Sequence, residues 1–214
     1  METLTKPGSI EFDGGAAIDR GACARTLDRL AAGLEARVPG IDGHSRRVAR
    51  YAAGIAREIG LPREQVERVR RAGAVHDIGK LEMPVAIVNK PAPLSASEFA
   101  LVKRHSVAGE KMVAGLGDPQ LAAIVRHHHE RIDGSGYPDG LAGEQIPLGA
   151  RIVAVADTFD ALTSTRPYRP ASRHREALAL LDLEAGSQLD PGAVAAFRAY
   201  YSGPRGALAR LLAR

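Results

Sequence analysis

Residues 150–164 read ARIVAVADTFDALTS, and the fold class turns on them. Apart from Arg151, the first seven, Ala150 to Ala156, are apolar, a pattern shared by buried strands and buried helices. The continuation from Thr158 to Ser164 extends the run to a useful helical length, and Pro167 breaks it. Composition agrees: Trp is absent, aromatics make up 4%, and Ala, Leu, Arg and Glu are plentiful, which favours helices over β-branched strands. The class read from the chain is all-α. Asp157 and Asp160 interrupt this otherwise apolar helix, so at least one must be paired or bound to a cation. Periodicity does not choose between them.

On the C-terminal side, two amphipathic helices follow, one ending at Gly186 and one opening at Asp190-Pro191. The basic tail 203–214 is read as a surface helix. On the N-terminal side, Asp133 to Gly149 is too rich in Gly and Pro for regular structure and is a candidate functional loop. Before it, Asp118 and Pro119 open a helix through Leu121, Ile124 and Val125 to His127, His128 and His129. Ser95 and Glu98 form a capping box for a helix whose inner face is Phe99, Val102, His105, Gly109 and Met112. Val66, Val69, Gly73 and His76 trace another stripe, closed by Gly79. Upstream, His44, Val48, Ile55 and Ile59 share one side of a helix from about Gly43 to Ile59. Leu27, Leu30 and Leu34 mark a helix over about 17–38, and residues 1–16 read as a flexible leader. The main domain therefore spans 17–202.

The bulk numbers exclude several classes. With 214 residues, 45% apolar and 25% charged, the chain is an ordinary globular protein with one main core. A formal charge of +4 suits an anionic ligand but falls short of a surface for a nucleic-acid polymer. Cys23 is the only cysteine, so intrachain disulfides and thiolate zinc cages are ruled out. No membrane span or signal core is visible, which leads to a cytoplasmic expectation.

Of the seven histidines, His44, His76, His105, His127, His128 and His129 lie on helices, at least four of them on apolar stripes. A single such residue is usually a core imidazole with one hydrogen bond. Several on separate helices each carry a desolvation cost, which a shared metal offsets. By helical angle His128 is nearly centred on its stripe, His129 is about a quarter-turn off, and His127 faces away. On an ideal helix His76 and Asp77 diverge by about a hundred degrees, a poor chelate for one ion but suited to two neighbouring ions bridged by the carboxylate.

The series His76-Asp-Ile-Gly-Lys80, His105, His128-His-Glu130, Asp133-Gly-Ser-Gly-Tyr-Pro138, Ala150-Arg-Ile-Val-Ala-Val-Ala-Asp157 and Arg166-Pro-Tyr-Arg169 closely resembles the HD-GYP family of cyclic di-GMP phosphodiesterases. The likeness runs from about His44 to Asp190. It implies an HD-type helical bundle with an irregular GYP loop. It also implies metal ligation by His44, His76, Asp77, His105, His128, His129 and Asp157, with Asp77 bridging, and this selects Asp157 over Asp160. The implied cofactors are two divalent transition-metal ions, iron or manganese, and donor chemistry also admits zinc. A third ion loses its expected glutamate, because Gly40 stands four residues before His44, although Asp42 lies nearby.

The resemblance implies hydrolysis of cyclic di-GMP to linear pGpG or GMP, with Asp77 and Lys80 in the catalytic group and Lys80 stabilising charge or orienting water. Substrate contacts would come from Arg166, Arg169, Tyr137, Asp133 and Gly136. The competing readings are a catalytically weak cyclic di-GMP receptor and a hydrolase of another cyclic dinucleotide. The GYP loop and the N-terminal helix are candidate surfaces for protein partners, and a homodimer is compatible with the chain.

The two arginines yield a test. A guanidinium cannot ligate a cation, so two of them beside a dication site imply anionic substrate in between. Arg166→Ala and Arg169→Ala are each expected to cost on the order of 1.5 to 3 kcal/mol of cyclic di-GMP binding, roughly ten- to hundredfold, with metal content retained. Unchanged affinity on titration of both variants would remove the segment from the substrate site.

Overall fold

The computed structural model describes residues 20–37, 43–90, 92–165, 171–204 and 206. They form α1 (Arg20–Arg37), α2 (His44–Glu58), α3 (Arg63–Val75), α4 (Val85–Val88), α5 (Ala96–Ala114), α6 (Pro119–His127), α7 (Leu148–Thr163), α8 (His174–Glu184) and α9 (Pro191–Ser202). Short 3-10 turns cover Ile78–Glu82 and Gly143–Gln145. Among the described residues there is no strand beyond an isolated bridge between Ala185 and Leu189. The leader, Gly40, Asp42, Arg166, Arg169 and the tail from residue 207 lie outside the described residues.

The ambiguous run 150–164 is helical, as its continuation requires. α7 buries Ile152, Val153, Val155 and Phe159 completely, each contributing about 1.5–3 kcal/mol of burial, which outweighs the weak β preference of Ile and Val. It packs on α2, α3, α6, α8 and α9. Tyr51 of α2 meets Phe159 of α7 and Phe197 of α9 edge to face, at centroid distances of 5.5 and 5.8 Å.

Local signals set the helix ends. Ser95 accepts from the Glu98 amide and Glu98 from the Ser95 amide, so the capping box opens α5. Asp118 accepts from the Leu121 amide and Asp190 from the Ala193 amide, each followed by Pro at the first helical position. Two residues expected on inner faces are exposed: Ile59, at 37%, follows the last turn of α2, and Phe99, at 44%, projects from the first turn of α5 past the body of the bundle.

The bundle brings particular helix ends together. α2 begins at His44, α3 ends one residue before His76, and α6 ends one residue before His128; these termini meet the middles of α5 and α7. The 3-10 turn after Asp77 lies against α5 so closely that a Cβ on Gly79 would run into the His105 carbonyl and sit 2.6 Å from the Gly109 nitrogen. Gly79→Ala is therefore expected to destabilise by at least about 1–3 kcal/mol, the cost of overpacking against immovable backbone. Gly115→Ala, where a Cβ meets nothing within 4 Å, is expected to be neutral within about 0.5 kcal/mol. Denaturant midpoints of both variants test this, and equal midpoints would contradict the crossing.

Candidate metal centre

Four histidines are fixed by their Nδ1 atoms. Those of His76, His105 and His128 donate to the carbonyls of Gly73, Val102 and Val125 at 2.9, 2.6 and 2.7 Å. That of His44 donates to the buried Asp160 carboxylate at 2.7 Å. Each bond sets the tautomer and leaves the Nε2 lone pair available. These lone pairs converge on Asp77. Asp77 Oδ1 lies 3.3 Å from His105 Nε2 and 4.0 Å from His128 Nε2, and Oδ2 lies 3.5 Å from His76 Nε2. Lys80 Nζ donates to Oδ2 at 2.5 Å.

The arrangement contains polar atoms that the protein does not satisfy. His76 Nε2 and Asp77 Oδ1 are buried without a hydrogen-bond partner among the described residues. His105 Nε2 faces His128 Nε2 at 3.3 Å, two lone pairs opposed across about the separation of two nitrogens sharing one ion with bonds of roughly 2 Å. A cation removes both costs, so the residues fit a metal. Two groups could each hold one ion: His44, His76 and Asp77; and Asp77, His105, His128 and His129, with ligand atoms within 4.8 Å of one another in each. Asp77 belongs to both. Asp157 stands beside the first group, 3.4 Å from His44 Nε2 and 3.8 Å from His76 Nε2.

The His76-Asp77 pair departs from the geometry expected of neighbours on an ideal helix. His76 and Asp77 do converge on a single group, because α3 ends at Val75 and Asp77, at φ −92° and ψ 5°, has left the helix. The helical divergence of neighbouring side chains does not apply there.

Protonation suits a cation. Burial, aided by His105, pushes His129 down to about 3. Burial also lowers His76, and lowers His128 well below the usual imidazole range. Burial opposes ionisation of Asp77, but Lys80 and His76 outweigh it and hold the carboxyl well below its ordinary value. Burial likewise opposes protonation of His44, yet the Asp160 hydrogen bond and the Asp157 and Asp77 carboxylates raise it. A dication among those carboxylates would compete with that proton.

The remaining expected residues divide. His127 is held by the Ala123 carbonyl and the Asp139 carboxylate at 2.8 and 2.9 Å and belongs to neither metal group. Tyr137 stacks on His129 with centroids 4.8 Å apart, and burial raises its phenol. Gly136 and Tyr137 line a cavity of about 430 Å³ beside His128, His129 and Asp157. A Cβ on Gly136 would lie 2.5 Å from the Glu130 Cα, so only glycine fits. Asp133 is committed to the loop itself, accepting from Arg131 and from the amide and hydroxyl of Ser135, and it does not line the cavity. Larger cavities of about 700 and 760 Å³ open over α3 but contain no such donor group.

Several residues had no role assigned from sequence. Asp160 accepts from Arg47 at 2.6 Å as well as from His44, so it orients a metal-facing imidazole. Ser164 donates to the same carboxylate at 3.2 Å. Glu130, buried, accepts from the amides of Asp139, Gly140 and Leu141 at 2.7, 3.1 and 3.1 Å, which pins the Gly-rich loop to the end of α6. The only sequence cue was a carboxylate directly after the three histidines and three residues before the loop.

A family model described as HD domain matches residues 29–193, a span that includes every residue of the two groups. The chain is 44% identical over 172 residues to the cyclic di-GMP phosphodiesterase response regulator RpfG of Xanthomonas campestris pv. campestris, covering 79% of this chain and 46% of that protein. It is 39% identical over 166 residues to 3′3′-cGAMP-specific phosphodiesterase 3 of Vibrio cholerae, covering 77% and 36% respectively. The chain thus spans less than half the length of these relatives. Bd1817, an HDG"Y"P protein from Bdellovibrio bacteriovorus, shares the fold, with a TM-score of 0.64 over 86% of this chain and 62% of that one at 19% identity. The match through both donor groups and the helices that carry them means that the chain belongs to the HD domain family.

Proposed function

We propose that the chain is a metal-dependent phosphodiesterase that hydrolyses cyclic di-GMP at a two-ion centre. The observation that carries this reading is the buried Asp77 carboxylate, common to two groups of imidazoles, with its Oδ1 and His76 Nε2 lacking a hydrogen-bond partner among the described residues. His44 and His76, with Asp157, would hold one ion, and His105, His128 and His129 the other. Iron and manganese are the expected metals. Two ions rather than three remain the proposal, because Gly40 offers no carboxylate.

Bound divalent ions supply Lewis acidity and a water of lowered pKa. The protein's own groups supply position. Asp160 and the three carbonyls fix the imidazoles, Glu130 holds the loop that forms one wall, and Lys80, donating to Asp77, brings positive charge next to the developing phosphorane. One water is consumed: its oxygen adds to phosphorus, the bond to the 3′-oxygen breaks, and the released proton passes to that oxygen. The linear dinucleotide is the first product, and a second cycle gives GMP.

A second substrate, 3′3′-cGAMP, is favoured by the likeness to the Vibrio cholerae enzyme specific for it. Chromatographic product analysis with each cyclic dinucleotide and anaerobically prepared protein decides between them. Retention of cyclic di-GMP without turnover would support a receptor instead.

Asp77→Ala is expected to lose metal from both positions and to abolish turnover, since two cations would then face each other without a shared anion. Near-normal metal content and activity would defeat the two-ion reading. His127→Ala, by contrast, is expected to keep its full metal content by elemental analysis, and the loss of one equivalent would show that its place outside the centre is wrong.

A further inference from the structure

The metal centre accounts for the floor of the cavity but not for its mouth. There Phe99 stands 44% exposed, and Lys103, one turn further along α5, places its ammonium 5.0 Å from the Phe99 centroid and 5.4 Å from that of Tyr137. Both Phe99 and Lys103 line the cavity that holds His129 and Asp157. The arrangement is graded: His129 stacks on Tyr137, the Phe99 and Tyr137 rings meet edge to face at 6.3 Å, and Lys103 lies over both.

Charge separates Lys103 from its neighbour across the opening. Arg131, the other cation lining the cavity among the described residues, is engaged by Asp133 and Gln188. Lys103 forms no ion pair with a carboxylate among the described residues. An exposed phenyl ring with an unneutralised ammonium beside it is a poor arrangement for water alone but a good one for a nucleotide. The ring offers a stacking face to any base, and the ammonium offers a point charge to a phosphate.

A cyclic dinucleotide has two phosphodiesters and two bases. When one phosphodiester lies at the metals, the other must be accommodated away from them, and Lys80, the cation nearest Asp77 among the described residues, is engaged by the Asp77 carboxylate. We propose that Phe99 and Lys103 hold the half of the substrate that is not being cleaved, Lys103 meeting the second phosphate and Phe99 stacking on a base. This rests on the phosphodiesterase reading above and deepens it. Binding would thereby depend on the second phosphate, so phosphodiesters with only one would be poor substrates.

The test compares cyclic di-GMP with bis(p-nitrophenyl) phosphate, which has one phosphate, using metal-loaded protein. Lys103→Gln is expected to lower kcat/KM on cyclic di-GMP relative to the one-phosphate ester by about tenfold, carried by KM, with Lys103→Arg restoring most of it. Phe99→Leu, which keeps an apolar side chain without the π face, is expected to raise KM for cyclic di-GMP about five- to tenfold. Both side chains are exposed, so thermal midpoints should match the wild type. If the wild type turns over cyclic di-GMP and Lys103→Gln lowers both substrates equally or neither, the inference fails while the phosphodiesterase reading stands. A wild type that cleaves bis(p-nitrophenyl) phosphate but no cyclic dinucleotide overturns both.

Discussion

A carboxylate buried among imidazoles is the constraint on which the rest of this structure depends. Asp77 is 5% exposed and His76, His105 and His128 at most 1%. Unpaired, such a charge and so many unmet lone pairs would cost several kcal/mol. Lys80 satisfies one oxygen of Asp77; no hydrogen-bond donor among the described residues satisfies the other. The fold therefore concentrates unmet donor capacity at one point, and an HD domain with a His/Asp cluster of this kind binds divalent metal.

The architecture follows from keeping that point fixed. No single helix could bring these groups together, since residues along one helical face spread 5.4 Å per turn. Three helix ends and two helix middles converge instead, on a bundle whose opposite half is a dry aromatic core of Tyr51, Phe159 and Phe197. α7 links the two halves. Phe159 belongs to the core, while Asp157 and Asp160 on the same helix reach the donor groups, one directly and one through His44. No described helix is long and apolar enough to cross a membrane.

Much of this was legible in the chain because it rests on local chemistry. Caps at Ser95, Asp118 and Asp190 located three helix starts, and helical angles separated His128 and His129 from His127. The motif series identified the family and proposed a donor set, most of which the fold gathers around Asp77. What stayed hidden depends on tertiary placement. Periodicity did not separate Asp160 from Asp157, and the motif series, which selects Asp157, left Asp160 without a role; only the packing of α2 on α7 reveals it as the partner of His44. Asp133 sits in the motif, yet its oxygens are used up by Ser135 and Arg131 within the loop. Phe99 fitted the inner stripe of α5 by spacing, but the bundle ends before its turn begins, leaving the ring at the cavity mouth.

The central claim is that Asp77 lies between two metal ions. Anomalous diffraction at the iron and manganese edges, from crystals of anaerobically prepared protein, tests it most directly. Two peaks are expected on either side of the Asp77 carboxylate, one beside His44 and His76 and one among His105, His128 and His129. A single peak, or a peak remote from Asp77, would contradict it.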